Sequence, residues 1–234
     1  MITIKKYFTT TQLKMIALAL MFLDHIYEFF AYTGSAPVLL TMLGRLSLPL
    51  FIFCTAEGFY YTHDRKKYIL RLFAFYLLME ALRYYLMFAF PRPDGFVIQN
   101  NIFGSILLTV LSVYCIDQIK AHKKEIRHLL SYSILLITII PLTLFAEGGW
   151  FYIFLGIMLY YTRQSRPAQA ACFVALCLMV WANDESIRWM MTFAVFFIIL
   201  YNGKKGEGYK YFFYIFYPAH IALLYVLSVM LYAR

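Results

Sequence analysis

The chain has 234 residues, of which 63% are hydrophobic and only 14% charged. A soluble domain carries about 25% charged residues and hides roughly three-quarters of its unfolded surface at best, so this composition excludes an ordinary water-soluble fold and makes lipid the expected solvent. The net charge of +9 lies in short links between apolar runs, where membrane topology explains it better than nucleic acid does.

Taken in order, nine apolar segments stand out at roughly 13–32, 38–60, 68–90, 102–119, 129–146, 149–162, 168–182, 188–201 and 211–232. A span needs about 20 apolar residues, and the fifth to eighth segments are short. The first run is too long for a signal peptide and lacks a small-residue cleavage pattern after it, so it reads as a retained helix. The links at 33–37, 91–95, 147–149 and 183–186 are short and rich in turn residues.

Charge gives an independent reading of orientation. With the amino end inside, the inner segments hold Lys5, Lys6 and Lys14; Arg65, Lys66, Lys67 and Arg71; Lys120, Lys123, Lys124 and Arg127; Arg163 and Arg166; and Lys204, Lys205 and Lys210. That is 16 of the 21 basic residues, the bias of the positive-inside rule. Arg92, Arg188 and Arg234 fall outside. The expected fold is all-α: a polytopic transmembrane helical bundle of about nine spans, one domain over 1–234, amino end inside and carboxyl end outside.

Cys54, Cys115, Cys172 and Cys177 lie in or beside apolar segments without a CxxC pair, so neither a disulfide framework nor a metal site is expected. Ionisable residues inside spans carry more information, because an unpaired charge there costs at least ~2.5–3.5 kcal/mol. The first span holds Asp24, His25 and Glu28, the second Arg45 and Glu57, the third Glu80 and Arg83, and the last His220 just after Pro218. At a rise of ~1.5 Å per residue, all but Glu57 reach one layer in the middle to outer half. Such pairs also serve simply to fix helix packing. His25 is the more informative group, since a histidine beside an aspartate can be a tuned general base. The turn from Tyr201 through Asn202, Gly203, Lys204 and Lys205 to Gly206 combines backbone donors with two cations and could hold phosphates, although the GxxxxGK[ST] spacing is absent.

Several stretches together resemble the TraX family, whose namesake acetylates the amino terminus of conjugative pilin. They are Leu13–Ala17 running to Asp24-His25, Gly44–Phe53 ending at Glu57-Gly58-Phe59, Tyr68–Leu72, Asn100-Asn101, Tyr201–Gly206, and Phe213–His220 with its Tyr217-Pro218 step. The family looks like a compact relative of the broader membrane acyltransferase group. The resemblance implies a bacterial cytoplasmic-membrane enzyme that moves an acetyl group from acetyl-CoA. In that reading His25, oriented by Asp24, deprotonates the acceptor, Arg45 offsets developing charge, and His220 is a second acid or base. Arg65, Lys66, Lys67, Arg71, Asn202, Lys204 and Lys205 would meet the CoA phosphates. Glu28, Glu57, Glu80, Arg83, Asn101 and Tyr217 would line the acceptor side. The acceptor stays open among a pilin-like peptide, a glycan, a lipid and a small amine. The alternatives are a small proton-coupled transporter or channel, and a noncatalytic membrane scaffold.

Overall fold

A computed structural model describes residues 7–99, 101–183 and 187–232. Lys5, Lys6, Asn100, residues 184–186 and Arg234 lie outside the described residues. Among the described residues, ten α-helices account for most of the structure. α1 (Thr10–Phe30) begins at a reciprocal cap: the Gln12 backbone N–H donates to the Thr9 hydroxyl, and the Thr9 N–H donates to the Gln12 side-chain oxygen at 2.9 Å.

The segment expected as one span over 38–60 is two helices, α2 (Leu39–Gly44) and α3 (Ser47–Tyr60). The physical reason is Pro49. Its ring has no N–H and crowds the carbonyl four residues back, that of Arg45, so the helix breaks there and Pro49 is left in the tolerated first turn of α3. α4 (Arg65–Ala89), α5 (Ile102–Ala121) and α6 (Ile126–Leu142) follow, then three shorter helices, α7 (Gly149–Tyr161), α8 (Arg166–Asn183) and α9 (Ala194–Ile199), and last α10 (Lys210–Tyr232). The run expected as a helix over 188–201 opens as a 3-10 stretch, Ile187–Phe193, before the brief α9. Its aromatic and β-branched residues are weak helix formers.

Six of these segments are long and apolar enough to cross a membrane, and three shorter apolar helices stand between the fifth and the last. α3 and α5 form the centre. α3 packs on α1, α5 and α7, and α5 packs on α4, α6 and α7. Gly156 permits this closeness, since a Cβ there would stand 2.3 Å from the Thr109 methyl carbon. α4 and α6 are peripheral and turn large apolar side chains outward, among them Leu70, Leu78, Phe88, Ile134, Ile137 and Ile140. Water would penalise such continuous exposure, whereas hydrocarbon does not.

Polar contacts tie chain segments together at both ends of the bundle. At the basic end, the Thr10 and Thr11 N–H groups donate to the carbonyls of Lys204 and Lys205 at 2.9 and 3.0 Å. The 201–206 turn thus gives the Lys204 and Lys205 carbonyls to the open N-terminus of α1. At the other end Arg92, expected in an external loop, is buried. It donates to the Phe29 carbonyl at 3.1 Å and to Ser228 Oγ at 3.3 Å, pairs with Asp94, and stacks on Tyr32 and Phe96. Its guanidinium holds the Asp94 carboxyl below the usual carboxylate range.

Candidate functional site

α1 and α10 bring His25 and His220 together, with His25 Nδ1 2.7 Å from His220 Nε2 and both rings buried. The hydrogen-bond pattern assigns the tautomers. His220 Nδ1 lies 2.8 Å from the Phe216 carbonyl, an acceptor only, so this nitrogen carries hydrogen. Neutral His220 then accepts at Nε2, and the shared hydrogen belongs to His25 Nδ1. His25 Nε2 is left with a lone pair, the requirement for a general base.

The expectation that Asp24 orients His25 is corrected by this geometry. Neighbouring residues on a helix point about 100° apart, since the turn takes ~3.6 residues, and the Asp24 carboxylate turns toward the α2–α3 break. Arg45 Nη2 meets its two oxygens at 2.7 and 2.9 Å, and also donates to Thr41 Oγ1 at 2.9 Å. The break at Pro49 makes this pair, because it frees Arg45 from a continuous helix. Gly44 leaves the room, since a Cβ there would lie 2.3 Å from the Asp24 Cβ. Gly44→Ala is expected to cost about 1–3 kcal/mol by overpacking and to displace Asp24 from Arg45. A lowered thermal midpoint, partly relieved by the added Asp24→Ala substitution, checks it.

A second polar layer lies beside the pair. Arg83 donates to Glu80 Oε1 at 2.9 Å, and Asn101 Nδ2 donates to the same oxygen at 2.7 Å. Tyr217 accepts the Ile102 N–H at 3.1 Å and stands with its ring 6.1 Å from that of His25. Glu28 is within electrostatic reach of Arg45, Glu147 and Tyr217.

Glu147 was read from sequence only as part of an external turn. Its Oε2 is buried without a hydrogen-bond partner, and burial, with Glu28 and Asp24 close by, pushes its carboxyl up to about 8. Its signal was the pair Gly148-Gly149. Both take positive φ, 73° and 68°, and build a turn tight enough to tuck the carboxyl inward, where Ser105 Oγ donates to the Glu147 carbonyl at 2.6 Å.

A cavity of ≈ 690 Å³ opens at the basic end and runs inward between α1, α3, α4, α5 and α10. Lys14, Arg71 and Lys205 line its mouth, while Met21, Phe103 and Tyr217 line its inner end. Lys14, Leu18, Met21 and His25 are spaced i, i+4, i+7 and i+11, one face of α1, so the cavity climbs the helix toward His25. That spacing was legible in the sequence, yet Lys14 had been read only as a topological charge.

The cations proposed for phosphate are otherwise scattered. Arg65 is committed to Asp117 at 2.7 Å and to Tyr160. Lys66 lines a separate apolar groove with Leu70, Leu107 and Tyr132. Lys67 pairs with Asp64 at 3.1 Å. Asn202 accepts the Lys204 N–H at 2.8 Å and holds the turn, and the Lys204 side chain is exposed. Arg71 and Lys205 are the two of that group on the cavity wall.

Glu57 stands apart from the polar layer, as its depth implied, and is buried beside the cavity. Arg166 grips it through both nitrogens at 2.9 and 3.0 Å, and Arg163 lies 3.7 Å away. These two arginines had been counted only as inner-loop charges. The missed signal was a carboxylate inside an apolar segment, which demands a cation from elsewhere in the chain. Among the described residues no cluster of metal-ligating side chains occurs.

Comparison with known proteins adds to this geometry. The sequence matches the family described as TraX protein over residues 9–228. It is also 32% identical over 241 aligned positions to a protein of Dichelobacter nodosus described as "Probable fimbrial assembly protein FimC, serogroup H1", covering 93% of this chain and 94% of that one. No solved structure matches the chain. A match that runs from the start of α1 into α10, and so includes His25, Arg45 and His220, makes this chain a member of the TraX family.

Proposed function

We propose that the protein is a membrane-embedded acyltransferase that takes acetyl from cytoplasmic acetyl-CoA and passes it to an amine or hydroxyl at the membrane or its outer face. It would sit in the bacterial cytoplasmic membrane, its nine apolar segments crossing with the amino end inside and the carboxyl end outside, in keeping with the alternation of basic links. The carrying observation is the cavity that leads from Lys14, Arg71 and Lys205 up one face of α1 to Met21 and Tyr217, one turn short of a histidine whose Nε2 holds a lone pair. The three cations suit the anionic CoA head. From Thr10 to Met21 the wall rises ~16 Å at ~1.5 Å per residue, a length suited to the extended pantetheine arm.

In this reading the acceptor nitrogen or oxygen attacks the thioester carbon while His25 Nε2 takes its proton. The carbonyl π pair moves to oxygen, then returns as the C–S bond breaks. The departing sulfur recovers the proton from His25, giving acetylated acceptor and CoA. Donation from His25 Nδ1 to His220 continues throughout and stabilises the imidazolium. The relative's description as a fimbrial assembly protein supports a pilin-like peptide among the acceptors, alongside glycan, lipid and small amine.

Membranes carrying the protein, supplied with acetyl-CoA labelled in the acetyl group, test this. His25→Ala is expected to lower incorporation at least about 100-fold. Full activity in a correctly inserted variant would overturn the assignment. A proton-coupled transporter, the second reading favoured by the buried titratable layer, would move its substrate with no requirement for acetyl-CoA.

A further inference from the structure

The inner end of the cavity is almost wholly apolar. Met21, Phe51, Ile102, Phe103 and Ile106 line it, and Tyr217 is the polar side chain among them. Its hydroxyl has an unusual bonding state for a buried group. The oxygen already accepts the Ile102 N–H at 3.1 Å, one of the open donors at the start of α5. No described residue accepts the hydroxyl hydrogen in return. Of the other cavity tyrosines, Tyr68 bonds Thr55. Tyr201 bonds Thr10, and Tyr209 donates to Glu207. Tyr61 and Tyr214 receive Arg163 and Arg71 nearer the basic mouth. Tyr217 is only 3% exposed, with its ring 6.1 Å from His25 and 5.5 Å from His220. A buried hydroxyl whose oxygen is committed and whose hydrogen has no acceptor among the described residues is a directed donor, and the N-terminus of α5 behind it sharpens that polarity.

We infer that Tyr217 is the oxyanion donor of this site, its hydroxyl hydrogen bonding to the thioester carbonyl oxygen as negative charge develops there. The inference rests on the acyl-CoA reading and deepens it. The atoms require no further reactant. As the acceptor attacks, the carbonyl π pair becomes an oxygen lone pair, and Tyr217 hydrogen bonds to it without giving up its proton. When the C–S bond breaks, the carbonyl re-forms and the bond to Tyr217 weakens. His25 and Tyr217 thus have separate tasks at one carbon: one moves the acceptor proton, the other stabilises the oxygen. Because a charged oxygen accepts a hydrogen bond more strongly than a ground-state carbonyl, loss of the donor lowers the maximal rate more than the affinity for acetyl-CoA.

The experiment measures labelled acetyl incorporation in membranes as a function of acetyl-CoA concentration, and acetyl-CoA binding to the detergent-purified protein. Tyr217→Phe is expected to reduce the maximal rate about 100-fold with half-saturation and binding unchanged. Replacement of Tyr217 by 3-fluorotyrosine, a stronger donor and weaker acceptor, is expected to keep or raise the rate even though it weakens the link to Ile102. A role confined to capping α5 predicts the reverse: both replacements lower thermal stability, and the fluorinated protein is the slower of wild type and itself. Tyr217→Phe with wild-type maximal rate would overturn the inference while leaving the acyl-CoA reading standing. Wild-type protein that neither binds acetyl-CoA nor incorporates label would overturn both.

Discussion

On the proposed acetyl transfer, His220→Ala is expected to lower acetyl incorporation at saturating acetyl-CoA by about 1,000-fold, within the range of a lost acid–base partner or wrong tautomer. The argument starts at Phe216. Its carbonyl fixes hydrogen on His220 Nδ1 at 2.8 Å, so His220 Nε2 accepts from His25 Nδ1 at 2.7 Å. Without that acceptor His25 loses its preferred orientation, and the tautomer with hydrogen on Nε2 becomes equally accessible. That tautomer cannot take a proton from the acceptor. His220→Gln places a carbonyl oxygen within reach of His25 Nδ1 and is expected to recover a large part of the rate. Equal activity of the alanine and glutamine variants would refute the orienting role. A drop in thermal midpoint shared by both variants separates a packing defect from a chemical one.

The largest effect on stability is expected away from the chemistry, at Arg166. Glu57 is 2% exposed and its carboxylate is held by Arg166 through two hydrogen bonds. Breaking a buried pair on one side costs about 3–5 kcal/mol, because the abandoned charge has no water to return to. Arg163, 3.7 Å from the same carboxylate, partly replaces the lost cation, so Arg166→Met is expected at the low end, about 3 kcal/mol. The thermal midpoint in detergent is the measurement. Glu57→Gln combined with Arg166→Met removes the stranded charge and is expected to restore most of the loss. A double variant no better than the single would place the contribution of Arg166 in its stacking on Phe53 and Tyr201 instead.

These two cases show where local pattern carries information and where it stops. Helix class and the apolar segments follow from hydropathy, since a backbone in lipid must satisfy its own hydrogen bonds and helices do so within one segment. The break at Arg45–Leu46 was also written locally, in Pro49, four residues on from the carbonyl it disrupts. It was overlooked because apolarity continues across the break. The face shared by Lys14, Leu18, Met21 and His25 was likewise readable from spacing alone. Glu57 announced a need for a cation by its position in an apolar run, although it gave no hint which of 21 basic residues would answer.

The partner of His25 was the harder matter. Asp24 is adjacent in sequence, and adjacency favoured it, yet side chains one residue apart on a helix diverge. His220 lies 195 positions away and reaches His25 because α10 packs against α1. The same holds for the cations expected to meet phosphate. Charge alone grouped Arg65 with Arg71, while packing gave Arg65 to Asp117 and left Arg71 on the cavity wall.

Sequence by itself therefore determined the apolar, membrane-suited character, the helical class and which ionisable groups, the two histidines among them, sit inside apolar segments. These depend on composition and on periodicity within single segments, which the chain carries locally. Tertiary structure decided the pairings: His25 with His220, Asp24 with Arg45, Glu57 with Arg166, and the Tyr217 hydroxyl with the start of α5. Each depends on the rotation and separation of two packed helices, and a hydrogen bond tolerates only a few tenths of an ångström, finer than any one helix's sequence pattern specifies.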